Sequence, residues 1–144
     1  MWHNSVYSYE FVIRKMIIDS NPTSLFAFSM IDAIDASQAN AGDLFKQDND
    51  FFIVESECSE VRRSGPTLLS PNRCFGTLYI SLYTKQNLSA IANQQKLEQF
   101  SSMFSDKTIE GIRFRAYQPF ETMKLLGFNR YSGSIQFNFE FIKE

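Results

Sequence analysis

The segment Tyr131-Ser132-Gly133-Ser134-Ile135-Gln136-Phe137-Asn138-Phe139-Glu140-Phe141 alternates without a break. Tyr131, Gly133, Ile135, Phe137, Phe139 and Phe141 take one set of alternate positions, and Ser132, Ser134, Gln136, Asn138 and Glu140 take the other. Successive strand side chains point to opposite sides, so this reads as a half-solvated strand with an aromatic face in a core and a polar face in water. A strand of this kind needs neighbours in a sheet and a cover for its aromatic side.

The neighbours are found upstream. Phe75, Thr77, Tyr79, Ser81 and Tyr83 alternate with Gly76, Leu78, Ile80 and Leu82, so apolar groups lie on both faces and the strand should be central. Ile112, Phe114 and Ala116 alternate with Arg113, Arg115 and Tyr117, a strand with one buried face that Pro119 should end. Phe51 to Val54 opens another strand, expected to continue to Val61, and Leu25 to Ile31 leans the same way. The stretch from Ala36 to Asp50 reads as a surface loop. Arg62 to Asn72, with two prolines and Gly65, reads as a loop longer than a usual hairpin connection, either a functional arm or a disordered connector.

The cover comes from two helical stretches. Between Ser5 and Asp19, the residues Val6, Tyr9, Val12, Ile13, Met16 and Ile17 share about 140° of arc at 100° per residue. Asn4 or Ser5 can cap the start, and Ser20-Asn21-Pro22 is a stop signal. Tyr7, Phe11 and Ile18 form a second stripe, which is either buried in the domain or offered to a partner. Asn87 to Phe104 repeats the amphipathic pattern with Ala92, Leu97, Phe100, Met103 and Phe104. The order α, β, β, β, α, β, β, without repeats or a splitting linker, predicts one α+β domain over residues 1–144. Its expected form is a single mixed, mainly antiparallel sheet with two helices packed on one face.

Composition removes several functions. With 144 residues and 44% hydrophobic content, including fifteen Phe, the chain can bury a core. Fourteen basic and sixteen acidic side chains give a net charge of −2, without the excess expected of a dedicated nucleic-acid binder. No apolar run reaches the roughly 18 residues that span a bilayer. Met1 is followed by Trp2, His3 and Asn4 instead of a basic n-region, which predicts a soluble, unexported protein without membrane contact. The charge is unevenly placed: residues 1–60 carry −7 and residues 61–144 carry +5. Such polarity suits head-to-tail contact between copies, although it also lowers repulsion within one chain.

Catalytic material is sparse. Cys58, Cys74 and His3 have no metal-ligand spacing, and His3 lies near a terminus where fraying is expected. Cys58 and Cys74 are either a disulfide or two buried thiols, and a reducing cytosol favours thiols. Glu55 and Glu57 should share a strand face, and Asp32 with Asp35, or Asp48 with Asp50, could cluster around a cation. A nuclease pattern would need Lys two residues after a strand glutamate, where Glu57 and Ser59 stand instead. The scattered glycines form no phosphate loop. No cofactor is expected. Arg73-Cys74-Phe75-Gly76-Thr77-Leu78-Tyr79-Ile80 resembles the RNP1 strand of RRM domains, whose aromatics stack on RNA bases, but Cys74 replaces the usual glycine. The preceding strand also comes too close for the helix that the RRM order requires.

Arg73 enters a strand through Gly76, Leu78, Ile80 and Tyr83, a helix follows that ends near Phe104, and the strand Gly111-Ile112-Arg113-Phe114-Arg115 comes next. Gly127 and Tyr131 then precede a closing strand through Gln136, Phe137, Asn138, Phe139, Glu140 and Phe141. In this pattern residues 51–144 resemble the tail terminator family of long-tailed bacteriophages. The resemblance implies a non-enzymatic α+β subunit of a hexameric ring that caps the tail tube, stops its polymerisation and provides the head-joining surface. Expected partners are copies of the chain, the tail tube protein and a head-completion or connector protein. The expected location is the virion tail, after assembly in the host cytoplasm. Arg62 and Arg63 in the long loop, Arg73, and the strand pair Arg113 and Arg115 are the candidate contacts to a neighbouring subunit or the tube. Alternatives are an RRM-like RNA-binding module or another head-tail connector or completion protein.

Overall fold

The structure is a computed structural model that describes residues 3, 5–20, 25–28, 50–63, 65–66, 70–85, 90–120, 123–125 and 128–142. Its elements run α1 (Ser8–Ser20), β1 (Leu25–Phe28), β2 (Phe51–Arg63), β3 (Asn72–Thr84), α2 (Ala90–Ser101), β4 (Thr108–Ile109), β5 (Ile112–Phe114), β6 (Gln118–Pro119), β7 (Met123–Leu125) and β8 (Phe128–Phe141). The fold is α+β. One sheet has the order β1-β2-β3-β8-β5-β4, and β6 and β7 also pair with β8. Only β1 with β2 is parallel among the described strand pairs; the rest are antiparallel.

The register explains the sidedness. Phe52 faces Leu82, Val54 faces Ile80, Cys74 faces Phe139, Gly76 faces Phe137 and Leu78 faces Ile135, which gathers the apolar sets of three long strands on one side. Both helices cover that side. Tyr9, Val12, Ile13 and Ile17 of α1 and Leu97 and Phe100 of α2 join these strand residues in one core, with Val6 and Met16 packed against it. Phe100 stacks on Phe52 with ring centroids 4.1 Å apart, and Tyr9 lies 5.1 Å from Phe137. Contacts of this kind add about 0.5–1.5 kcal/mol beyond area burial.

The start of α1 is capped by the Ser5 hydroxyl, which accepts the Tyr7 amide at 3.1 Å, and the Ser20 hydroxyl donates to the Ile17 carbonyl at its end. Its second stripe is not covered at one end: Tyr7 is 62% and Phe11 70% exposed. In α2 the expected Ala92 is exposed while Asn93 is buried, so the covered stripe is rotated relative to the sequence pattern. The expected extension of β1 through Ile31 and the loop through residue 49 lie outside the described residues.

Three further expectations are corrected. Arg62 and Arg63 are strand residues: Arg62 pairs with Arg73 and Arg63 with Asn72, so β2 and β3 form one long hairpin that leaves residues 64–71 between its strands. His3 is held rather than frayed, 7% exposed, with its Nε2–H donating to the Glu110 carbonyl at 2.7 Å and its ring edge-on to Phe139. The polar face of β8 is not uniformly wet, since Ser132 and Ser134 are both buried. That end of the second face holds a small aromatic group in which Phe51 stacks on Tyr83 and meets Phe128 edge-on.

Tyr9 offers a test of the helix-to-sheet packing. Burial, then the Glu10 charge and the two cysteines, push its hydroxyl up to about 12. The folded state therefore keeps this proton where an unfolded tyrosine, near 10, has lost it. The stabilisation is complete below about pH 10 and disappears as pH rises toward 12, a change on the order of 2 kcal/mol. Tyr9→Phe should reduce the fall of Tm between pH 9 and 12; an unchanged alkaline slope would place Tyr9 outside the core.

Candidate functional site

The face of the sheet opposite the helices carries the candidate residues. After the irregularity between Cys58 and Glu60, the register sets Glu60 beside Phe75 and Phe75 beside Asn138, while Asn138 pairs with Arg113. In the adjacent row Glu57 pairs with Thr77 and Thr77 with Gln136, whose carbonyl accepts the Arg115 amide at 2.8 Å. Two cross-sheet rows thus begin in a carboxylate on β2 and end in a guanidinium at or just beyond β5. Three strand spacings separate the ends, about 14 Å. All four end residues are exposed.

Arg113 and Arg115 occupy positions where Ile112 and Phe114 take the buried side, each 0% exposed. Neither guanidinium has an ion-pair or hydrogen-bond partner among the described residues. Both line an open groove of about 640 Å³ together with Asp106, Gln118, Ser134 and Gln136. Arg113 also lines a second groove of about 490 Å³ with Arg73, Asn138 and Glu140.

Two of the remaining candidates, Arg73 and Arg62, are engaged within the chain. Arg73 forms an ion pair with Glu140 and donates to the Asn138 side-chain oxygen at 2.8 Å. Arg62 pairs with Glu60 at 2.6 Å and lies over the Phe75 ring, 5.5 Å from its centroid. Arg63 is exposed next to the hairpin end. The structure therefore brings Arg73, Arg113 and Arg115 to neighbouring grooves and sets Arg62 and Arg63 toward the far edge, on β2. Sequence reading did not name Glu60, Asn138 or Gln136 as site residues. The alternation of β8 marked the last two as solvent-side, but only the register reveals what they stand beside.

Glu55 and Glu57 do share this face, and the Tyr79 hydroxyl donates to Glu57 at 3.0 Å. Desolvation, and then that bond, hold the Tyr79 hydroxyl above its ordinary range. Among the described residues no group of three His, Cys, Asp or Glu is placed to hold a metal ion, and no helix is long and apolar enough to cross a membrane. Asp32, Asp35 and Asp48 lie outside the described residues. Asp50 pairs with Lys96 of α2 at 3.3 Å.

Phe75 and Tyr79, the aromatics of the RNP1-like strand, are half-buried on the same face. Arg62 already covers one, Glu57 binds the other, and Glu55 and Glu60 stand nearby, so phosphates would meet carboxylates here. Titration with mixed oligonucleotides should show no salt-sensitive binding. Salt-sensitive binding that disappears in both Phe75→Ala and Tyr79→Ala would establish a stacking platform instead.

Compared with known proteins, the chain matches no family model and no curated relative.

Proposed function

We propose that the chain is a ring-forming structural protein of the tail-terminator type. In this reading it caps the tail tube of a long-tailed bacteriophage, stops tube polymerisation and presents the surface that joins the filled head. The observation that supports it is the pair of rows ending in Glu57 and Glu60 on one side and in Arg113 and Arg115 on the other. A ring is built from heterologous contacts, in which one patch of each subunit meets a different patch of the next. A subunit with carboxylates at one sheet margin and unpaired guanidinium groups at the other carries two such patches in complementary sign.

The division of charge in the whole chain, −7 before residue 61 and +5 after it, has the same sense. The two margin patches are polar, and the exposed large hydrophobic groups are divided among several segments, with Tyr7 and Phe11 one turn apart at the start of α1 and Val61, Ile91 and Phe120 elsewhere. Association between free subunits is accordingly weak, and the tube end acts as the template. The reading assigns no catalytic residue and no cofactor. Its partners are further copies, six to a ring as the resemblance implies, the tail tube protein and a head-completion or connector protein. The protein acts in the virion tail after assembly in the host cytoplasm.

Light scattering at rising protein concentration, and negative-stain microscopy of the chain mixed with tail tubes lacking a terminator, test this. Rings on tube ends and a concentration-dependent rise in mass are expected. A strict monomer at about millimolar protein, with bare tube ends, would overturn the proposal.

A further inference from the structure

The chain has two cysteines, and the fold brings them together. Cys58 stands opposite Gly76 and Cys74 opposite Val61, diagonal neighbours on the helix-covered face of the β2–β3 hairpin, next to the β2 irregularity between Cys58 and Glu60. Their Sγ atoms are 2.7 Å apart, both as thiols. We propose that Cys58 and Cys74 form a modification site that closes into an intramolecular disulfide on exchange with a small oxidised disulfide of the glutathione class.

The geometry asks for little movement. A disulfide holds its sulfurs about 2.05 Å apart, so the pair needs an approach of roughly 0.7 Å. The two thiols also differ in access, which gives the exchange an order. Cys74 is 0% exposed and donates its proton toward Cys58, whereas Cys58 is only half-buried, with its S–H directed at the Glu60 carbonyl at 3.5 Å. Burial, followed by the bond to Cys58, raises the Cys74 thiol well above its ordinary range, so Cys58 is the attacking group.

The chemistry balances in two exchanges. Cys58 gives its proton to water, and its thiolate attacks one sulfur of oxidised glutathione; the S–S bond of the oxidant breaks and one glutathione thiolate leaves. Cys74 then attacks Cys58 Sγ and expels the second glutathione thiolate, which takes up the Cys74 proton as it leaves. The protein loses two electrons and two protons, and one oxidised glutathione becomes two reduced molecules.

The bond would fasten the two strands at the root of the hairpin end that carries Arg62, Arg63 and Arg73. It would also lie near Tyr9, whose hydroxyl is close enough to both cysteines to respond to their ionisation. Because the linked residues are sixteen positions apart, closure removes freedom chiefly from the unfolded chain. The reduced hairpin end can adjust at the irregularity, and the oxidised one is held in a single setting.

The full chain, equilibrated in glutathione buffers of graded potential, is alkylated and weighed by mass spectrometry. With excess oxidised glutathione the expected product is a monomer that has lost two hydrogens and both alkylation sites and carries no adduct. Its Tm should exceed that of the reduced chain by roughly 5–10 °C. Cys74→Ser should stop at a glutathione adduct on Cys58, and Cys58→Ser should leave Cys74 unmodified in the native chain. A wild-type chain that retains both alkylation sites, halts at the Cys58 adduct or links to a second chain would overturn the proposal. These wild-type outcomes decide the matter even if a serine variant fails to fold.

Discussion

Phe137→Ala should lower the stability of the chain by about 3–5 kcal/mol and its Tm by roughly 10–15 °C. Phe137 is 2% exposed and sits where the aromatic parts of three elements meet: Tyr9 of α1 at 5.1 Å, Phe114 of β5 at 5.7 Å and Phe139 of its own strand at 6.5 Å between ring centroids. Opposite it on β3 lies Gly76, where an added Cβ would overlap both the Phe137 ring and the Glu57 carbonyl. The glycine leaves the space that the ring fills, so truncating the ring leaves a cavity between two paired strands and a helix. Its neighbours cannot collapse into that space without disturbing backbone pairing. Phe75→Ala, adjacent to Gly76 but on the other face, should cost less than about 1 kcal/mol because that ring is half-buried under a guanidinium. Chemical denaturation of both variants measures the contrast. A Phe137→Ala loss no larger than that of Phe75→Ala would mean that the two faces of β3 are assigned the wrong way round.

The elements with an unbroken period were legible before the structure. The alternation of residues 131–141 and of residues 75–83 marks the two central strands, and the helical spacing of Tyr9, Val12, Ile13 and Ile17 marks the covering helix. What hid the hairpin was composition. Arg62 and Arg63 next to Gly65 and Pro66 read as loop, yet at the end of a sheet their long stems tolerate a strand backbone while the charges reach water. The β4–β5 turn was invisible for a related reason. Glu110 and Gly111 both have positive φ, of 48° and 83°, and Glu is not a residue that favours that region. Its carbonyl is held by His3, a contact across 107 positions that no local pattern contains. The candidate site was half legible on the same logic. Alternation puts Arg113 and Arg115 on the solvent side, but which carboxylates lie across the sheet depends on register, and register depends on an irregularity after Cys58 that local sequence does not announce.

Charge reversal at Arg113 and Arg115 should abolish assembly on tube ends while leaving Tm within about 2 °C. Both side chains are exposed and lack a partner among the described residues, so the isolated fold loses little when they change sign. Two like charges on one strand face repel slightly, which gives a lone domain no reason to keep both. Shielding an edge from unwanted pairing is the competing explanation, and it makes a different forecast: glutamates would shield as well as arginines. The ion-pair account instead requires that Arg113→Glu with Arg115→Glu fail and that a compensating reversal on the acidic side recover function. Glu57→Arg with Glu60→Arg is the first compensation to test, since those residues end the same two rows. Glu57 also accepts the Tyr79 hydroxyl and Glu60 pairs with Arg62, so each reversal needs its own melting curve to separate a lost contact from a lost fold. Mixing the two reversed chains is an independent test: a contact between like chains joins four glutamates or four arginines and should fail, whereas every contact between unlike chains joins two arginines to two glutamates, so the mixture should cap tubes where neither chain does alone. A chain carrying all four reversals restores opposite signs at every contact and should cap tubes again. If it does not, and no other acidic partner restores capping, the two arginines are solvated strand residues and the ring must be held by another surface.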